Sequence, residues 1–178
     1  MSTGVILYGA PATGKDTVTT ELTNLDRQFR LYRRLKAGPG RTSGYRMTTH
    51  AELDRISARG QAIWVNERYN SRYVIDRPEL IRMLDGGQIP VVHVGQPEAV
   101  DAIRSAVPEA SWTVVELRCS RTTAHGRIEA RATGDTAERL DAWDATPALR
   151  TADLTIDTER TQPQQAAAVI RTASHLVD

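Results

Sequence analysis

Short apolar runs alternate with stretches of helical spacing along most of the chain. Val5 to Tyr8 (Val-Ile-Leu-Tyr) is a continuous apolar run bounded by Gly9 and Pro11, the pattern of a strand buried on both faces. A helical stretch follows from Gly14 to about Leu25. Pro90 to Val94 and Trp112 to Leu117 have the β-branched content of further buried strands, and Asp153 to Ile156 is a weaker one. Helical patterns cover Arg77 to Leu84, Pro97 to Ala106, Arg121 to Arg131, Thr136 to Trp143 and Gln164 to Leu176. This alternation predicts an α/β fold, a parallel core sheet flanked by helices.

One region breaks the rhythm. From Phe29 to Tyr73 the chain carries Arg30, Arg33, Arg34, Lys36, Arg41 and Arg46, the turn-rich Ala37-Gly-Pro-Gly40, and Tyr32, Tyr45, Tyr69 and Tyr73. Strand-like pieces at Gly44 to Met47 and Ala62 to Asn66 flank a helical piece at Thr49 to Ala58. The pattern predicts a small α+β insertion that binds a substrate; the alternative is an exposed charged excursion on the scaffold.

Composition narrows the classes. The 178 residues suit one domain, 40% apolar content is enough for a core, and 25% charged residues match an ordinary globular protein. The 23 basic and 22 acidic residues leave +1, no field for a nucleic-acid backbone or an anionic membrane. No apolar run approaches the ~20 residues of a membrane span, and the start of the chain lacks the basic region and longer apolar core of a secretion signal. The expectation is a cytoplasmic protein, free of nucleic acid and membrane, monomeric or homodimeric. Cys119 is the single cysteine, which excludes an internal disulfide, and His50, His125 and His175 have no metal-ligand spacing. Among the basic residues only Lys15 and Lys36 are lysine.

Lys15 lies in the sharpest motif, Gly9-Ala-Pro-Ala-Thr-Gly14-Lys15-Asp16-Thr17, a GxxxxGK loop between strand and helix. Glycines let the backbone turn tightly so that successive amide N–H groups of the loop Gly9, Ala10, Pro11, Ala12, Thr13 and Gly14, all but Pro11 carrying one, point inward at nucleotide phosphates. The following helix N-terminus adds partial positive charge, and Lys15 reaches the β and γ phosphates. Asp16 stands where Ser or Thr commonly holds Mg²⁺ in such loops. A carboxylate is also a hard ligand, so Asp16 and Thr17 are both metal candidates; alternatively Asp16 serves only the helix dipole.

Arg127, Arg131 and Arg139 flank a Gly-containing break between two helical patterns. A mobile segment that closes Arg131 and Arg139 over a transferring phosphoryl group would stabilise its charge and exclude water; a solvated surface helix pair is the alternative. Asp157, at the end of the last predicted strand, is either a nucleotide-base contact or part of a turn. His93 lies in an apolar strand, as a hydrogen-bonded core histidine or an acceptor contact at the strand's end.

Together the loop GAPATGKDT, the insertion RRLKAGPGRTSGYRMTTHAEL, the segment GQAIWVNERYNSRYVI, the strand IPVVHV and the break RIEARATGDTAERL resemble the guanylate kinase family of P-loop proteins. The resemblance implies a P-loop NTPase fold forming one kinase domain over 1–178. Its core would be 1–28 and 77–178, with an α+β acceptor-binding subdomain at about 29–76 and a helical lid at about 127–142. It also implies ATP as donor, Mg²⁺, and a small phosphorylated acceptor, GMP in the first instance. The family's phosphate-gripping side chains fall on Arg34, Lys36 or Arg41, and Tyr45, with Tyr73 near the end of the insertion.

The departures concern substrate. Guanylate kinases place an acid before the insertion tryptophan, and here Ile63 precedes Trp64. A second acid on the next core strand is replaced by the neighbourhood His93-Val-Gly95-Gln96. Guanine donors then lack a partner unless Glu67 or Asn66 substitutes. The Lys-Asp pair and the neutral strand end are similar to ribose 1,5-bisphosphate phosphokinases, whose acceptor has phosphate but no base. A sugar-phosphate or specialised-metabolite kinase, and a non-catalytic phosphopeptide-binding module, are therefore the alternatives. A phosphate nucleophile needs no general base; a hydroxyl would, with His93 or Asp76 as candidates.

Overall fold

The computed structural model describes residues 2–175, and Leu176 of the last predicted helix lies outside them. In chain order the elements are β1 (Ser2–Tyr8), α1 (Lys15–Leu25), β2 (Phe29–Leu31), β3 (Leu35–Ala37), β4 (Arg46–Met47) and α2 (His50–Ala58). They continue with β5 (Ala62–Arg68), β6 (Ser71–Asp76), α3 (Arg77–Asp85), β7 (Ile89–Val94), α4 (Pro97–Ala106) and β8 (Ala110–Arg118). The chain closes with α5 (Arg121–Ala130), α6 (Thr136–Asp144), β9 (Leu154–Asp157) and α7 (Pro163–His175).

Five strands form a parallel sheet in the order β2-β7-β1-β8-β9. The unbroken apolar runs have a direct cause, because the sheet is covered on both faces. Ile6, Tyr8, Val92 and Val94 pack with Leu80 of α3 and Val100 and Ile103 of α4 on one face. Val5, Leu7, Val91 and Val115 pack with Leu22 of α1 and Ile170 of α7 on the other. Trp112 closes the first cluster, its indole N–H bonded to the Val107 carbonyl at 3.1 Å.

The expected insertion boundary at 29 needs correction. Phe29–Leu31 pairs in parallel with β7 and belongs to the core sheet. Three residues are too few to show a period, and only the pairing partner, some sixty residues on, makes them a strand. A second sheet, ordered β4-β3-β6-β5, lies between residues 35 and 76 with α2 against it around Leu35, Leu53 and Val74. β3 and β6 were not anticipated: β3 has only three residues, and β6 lies within the insertion where polar and apolar positions are mixed. Asp76 ends β6 and caps α3, accepting from the Glu79 N–H at 3.3 Å. Among the described residues no helix is long and apolar enough to cross a membrane.

Candidate functional site

Residues 9–14 join the C-terminal end of β1 to α1, and their backbone is held from several sides. A Cβ at Gly9 would fall 2.6 Å from the Leu117 carbonyl oxygen, so no side chain fits there. Gly14 adopts φ 100°, left-handed, immediately before α1 begins. Thr13 donates to the Ala10 carbonyl at 2.9 Å, and Thr158 donates to the Thr13 carbonyl at 2.9 Å. Arg127 reaches from α5 to the Ala12 carbonyl at 3.0 Å. Lys15 folds back over the loop, its Nζ donating to Gly9 O at 2.5 Å and Ala10 O at 2.9 Å. Burial, and then the nearby Arg34, lower its pKa to about 7.

The loop forms one wall of a cavity of about 190 Å³. Gly9, Pro11, Ala12, Gly14, Lys15 and Asp16 line that wall; Arg34, Arg41, Tyr45 and Tyr73 come from the insertion, His93 from β7, and Arg131 and Arg139 from the α5–α6 hairpin. Ala10 and Thr13 instead line a separate cavity behind the loop. Six cationic side chains, Lys15, Arg34, Arg41, Arg68, Arg131 and Arg139, face the first cavity against one carboxylate, Asp16. Most arginines elsewhere near an acid are paired, as Arg82 with Glu79 and Arg121 with Asp144. Among the described residues Arg34, Arg68 and Arg131 have no carboxylate partner. Like charges gathered around one cavity repel one another, and an anion bound there would relieve that repulsion.

Asp16 and His93 meet beside the loop. Asp16 Oδ2 pairs with Arg41 at 3.2 Å, and Oδ1 lies 3.7 Å from His93 Nδ1. Burial opposes ionisation of Asp16, yet His93 and Arg41 hold its carboxyl below the usual range. Burial, and then Lys15, push the His93 ring down to about 3, so it is neutral at pH 7. Its Nε2 lies 2.7 Å from Thr19 Oγ1, and that hydroxyl already donates to the Lys15 carbonyl at 2.8 Å. Thr19 therefore accepts from Nε2–H, and Nδ1 is left as an acceptor.

Four further candidate residues lie away from this cavity: Lys36, Asp157, Thr17 and Asp76. Lys36 is buried, and its Nζ donates to the carbonyls of Pro39 at 2.6 Å and Arg41 at 2.8 Å. It fastens the 37–41 turn and supports the Tyr45 and Tyr73 rings, at 5.3 and 5.7 Å from their centroids, rather than facing the cavity. Arg34 does line the cavity and also lies against that ring pair, 5.9 Å from the Tyr45 centroid and 5.2 Å from that of Tyr73. Asp157 turns into the bend after β9, accepting from the Glu159 N–H at 2.9 Å, and its neighbour Thr158 touches the loop instead. Thr17 faces away from Asp16 into a second cleft of about 330 Å³, together with Arg127, Arg131, Thr158 and Pro163. Asp76 is likewise removed from the cavity: it accepts from Tyr32 OH at 2.7 Å and pairs with Arg46.

The hairpin of helices α5 and α6 turns at residues 131–135, where Ala132 and Gly134 take positive φ. Ile128, Leu140 and Trp143 pack beneath it with Ala12 of the loop. Arg139 pairs with Asp135 at 2.7 Å and lies 5.2 Å from the centre of the Tyr69 ring, linking this hairpin to the β5–β6 turn.

Solved structures share the fold of this chain. Guanylate kinase from Anaplasma phagocytophilum is 17% identical, with a TM-score of 0.62 over 97% of this chain and 87% of that one. A sugar kinase from Janibacter sp. is 17% identical, with a TM-score of 0.58 over 97% of this chain and 94% of that one. A gluconokinase from Sinorhizobium meliloti is 14% identical, with a TM-score of 0.56 over 99% and 95%. The fold is P-loop kinase-like. No protein-family model matches the chain. No curated protein sequence matches it.

Within this fold several contacts had only a partial signal in sequence. Arg127 stood beside Arg131 at helical spacing, but its role as a brace for Ala12 and Thr158 depends on β9 lying next to β8. Asn66, Arg68 and Tyr69 line the cavity from the β5–β6 hairpin. Glu67 does not, being bonded outward to Arg72 at 2.9 Å. Of the two proposed substitutes for the guanine-binding acid, only Asn66 faces the cavity.

Proposed function

We propose that the protein is an ATP-dependent phosphotransferase that moves the γ-phosphoryl group to a small phosphorylated acceptor. The observation that carries the reading is the shared cavity: Lys15 and its loop on one wall, and Arg34, Arg68 and Arg131, free of carboxylates, around it. Two phosphate sites within one cationic enclosure fit a donor and an acceptor brought face to face. The loop amides and Lys15 hold the donor phosphates, Arg34 with Tyr45 and Tyr73 grips the acceptor phosphate, and Arg131 and Arg139 neutralise the transferring group. The cleft of Thr17, Arg127, Thr158 and Pro163, which adjoins Gly14, suits the donor nucleoside.

Mg²⁺ fits one side chain. The Asp16 carboxylate is 46% exposed beside Lys15, and a Mg²⁺ bound by one protein carboxylate plus substrate phosphates matches the absence, among the described residues, of any three-residue acidic or His/Cys cluster. Bound there, the ion would neutralise charge on the phosphate oxygens. Thr17, turned to the other cleft, is the weaker candidate. A hydroxyl acceptor is a second reading, favoured by His93, whose Nδ1 lone pair is left at the cavity by the Thr19 bond.

ADP release with ATP and a panel of GMP, other nucleoside monophosphates and ribose 1,5-bisphosphate tests the proposal. Turnover of at least one acceptor, lost in Lys15→Ala, is expected. Calorimetric absence of ATP binding, with Lys15→Ala indistinguishable from wild type, would instead support a phosphopeptide-binding module.

A further inference from the structure

Asp16 stands in the first turn of α1 in the core, Arg41 lies 25 residues on in the insertion, and both line the cavity that holds Lys15. Arg41 Nη1 donates to Asp16 Oδ2 at 3.2 Å. Its Nε donates to the carbonyl and the hydroxyl of Ser43, both at 3.0 Å, and Lys36 fastens its own carbonyl at 2.8 Å. The stem of the side chain is therefore held by its own turn, and only the tip of the guanidinium is committed to the core.

Each partner has a second use in the same cavity. Asp16 is its only carboxylate and the side chain that fits Mg²⁺. Of the three insertion arginines that line it, Arg34 and Arg68 have no acid beside them among the described residues; Arg41 alone is matched, and by that carboxylate. A divalent ion on either oxygen of Asp16 would lie against the guanidinium, and two cations sharing one carboxylate repel. The pair is about half exposed, 51% for Arg41 and 46% for Asp16, so it is weak and readily exchanged. Arg41 also has room to turn, because Asp16 and Arg41 line a second cleft, of about 380 Å³, along Thr19, Thr20 and Thr23 of α1.

We propose that Arg41 occupies the metal's carboxylate in the free protein and is released to the acceptor phosphate once Asp16 holds Mg²⁺, so that donor and acceptor bind synergistically through this one side chain; this rests on the phosphotransferase reading of the same cavity. Arg41 pairs with Asp16 in the empty site and with the acceptor in the loaded one. The coupling is reciprocal: an acceptor that holds Arg41 leaves Asp16 open to the metal.

Calorimetric titration of ADP into the full chain, with Mg²⁺ and with EDTA, reads the metal's contribution to nucleotide binding without turnover. Arg41→Gln should raise that contribution about two- to fivefold over wild type, the size of an exposed pair, and should leave it unchanged in an Asp16→Asn background, where no pair remains to be broken. Inorganic phosphate is then titrated with the loop filled by a non-hydrolysable ATP analogue. Arg41→Gln should weaken phosphate binding, and the weakening should be about two- to fivefold greater with Mg²⁺ than in EDTA. A metal contribution unchanged or lowered by Arg41→Gln, an equal rise in the Asp16→Asn background, no phosphate binding to the loaded wild type, or a weakening indifferent to Mg²⁺ would overturn the proposal. Absence of ADP binding would remove both it and the phosphotransferase reading. The full coupling without ADP release from any acceptor would sink that reading and leave this exchange of partners standing; ADP release with no effect of Arg41→Gln on the metal's contribution would do the reverse.

Discussion

Thr19 orients His93. The Thr19 hydroxyl donates to the carbonyl of Lys15, one helical turn back, and so receives the His93 Nε2–H at 2.7 Å. The phosphate-loop helix thereby sets which imidazole nitrogen meets the cavity. At pH 7 the ¹⁵N imidazole signals should show the Nε2–H tautomer, and Thr19→Val should scramble it while raising the acceptor KM more than the ATP KM. A dominant Nδ1–H signal in wild type would contradict the assignment.

Lys15 couples phosphate binding to protons. Its pKa is depressed to about 7 in the free protein, and bound phosphates restore the charged form. At pH 8 ATP binding should take up close to one proton, about 0.9 for a pKa near 7, and uptake should vanish below about pH 6. Calorimetry in buffers of different ionisation enthalpy measures it; heats independent of buffer would refute it. For stability the sign is opposite to that of a raised group: the unfolded chain binds the extra proton between about pH 7 and the ordinary lysine value. In ligand-free protein this residue's destabilising contribution is therefore full below pH 7 and relieved as pH rises through that window.

Arg131 is exposed, faces the cavity and has no acid beside it. Arg131→Ala should lower kcat by roughly 10²-fold with ATP affinity nearly unchanged, as expected of a charge used in the transition state. An unchanged kcat would return Arg131 to the solvated surface.

Arg34 and Lys36 both lie against the Tyr45–Tyr73 pair, but only Arg34 lines the cavity, and they should behave differently. Arg34→Ala should raise the acceptor KM by about tenfold or more, with the melting temperature little changed; Tyr45→Phe should do the same more mildly. Lys36→Ala leaves the Pro39 and Arg41 carbonyls without their donor and should cost about 1–3 kcal/mol in denaturant unfolding. A Lys36 variant of full stability that loses only acceptor affinity would mean that the lysine grips the ligand.

The core sheet and the phosphate loop were legible in the order of residues because both are local. A strand buried on both faces must be continuously apolar, as Val5–Tyr8 is, and a loop that bends its amides inward needs glycine where Leu117 O and a positive φ leave no room for a side chain. Phe29–Leu31 and Leu35–Ala37 escaped that reading because three residues show no period, and Ser71–Asp76 because Ser71, Arg72 and Asp76 interrupt its apolar run; pairing with their partners makes them strands. Lys36 and Arg34, two residues apart with similar charge, share a composition signal for phosphate. Tertiary packing alone sends one into the 37–41 turn and the other into the cavity, because a buried ammonium must find carbonyls while a half-exposed guanidinium need not. The choice of Asn66 over Glu67 is of the same kind: the Ile63 bulge sets the phase of β5, and a shift of one residue would exchange the faces.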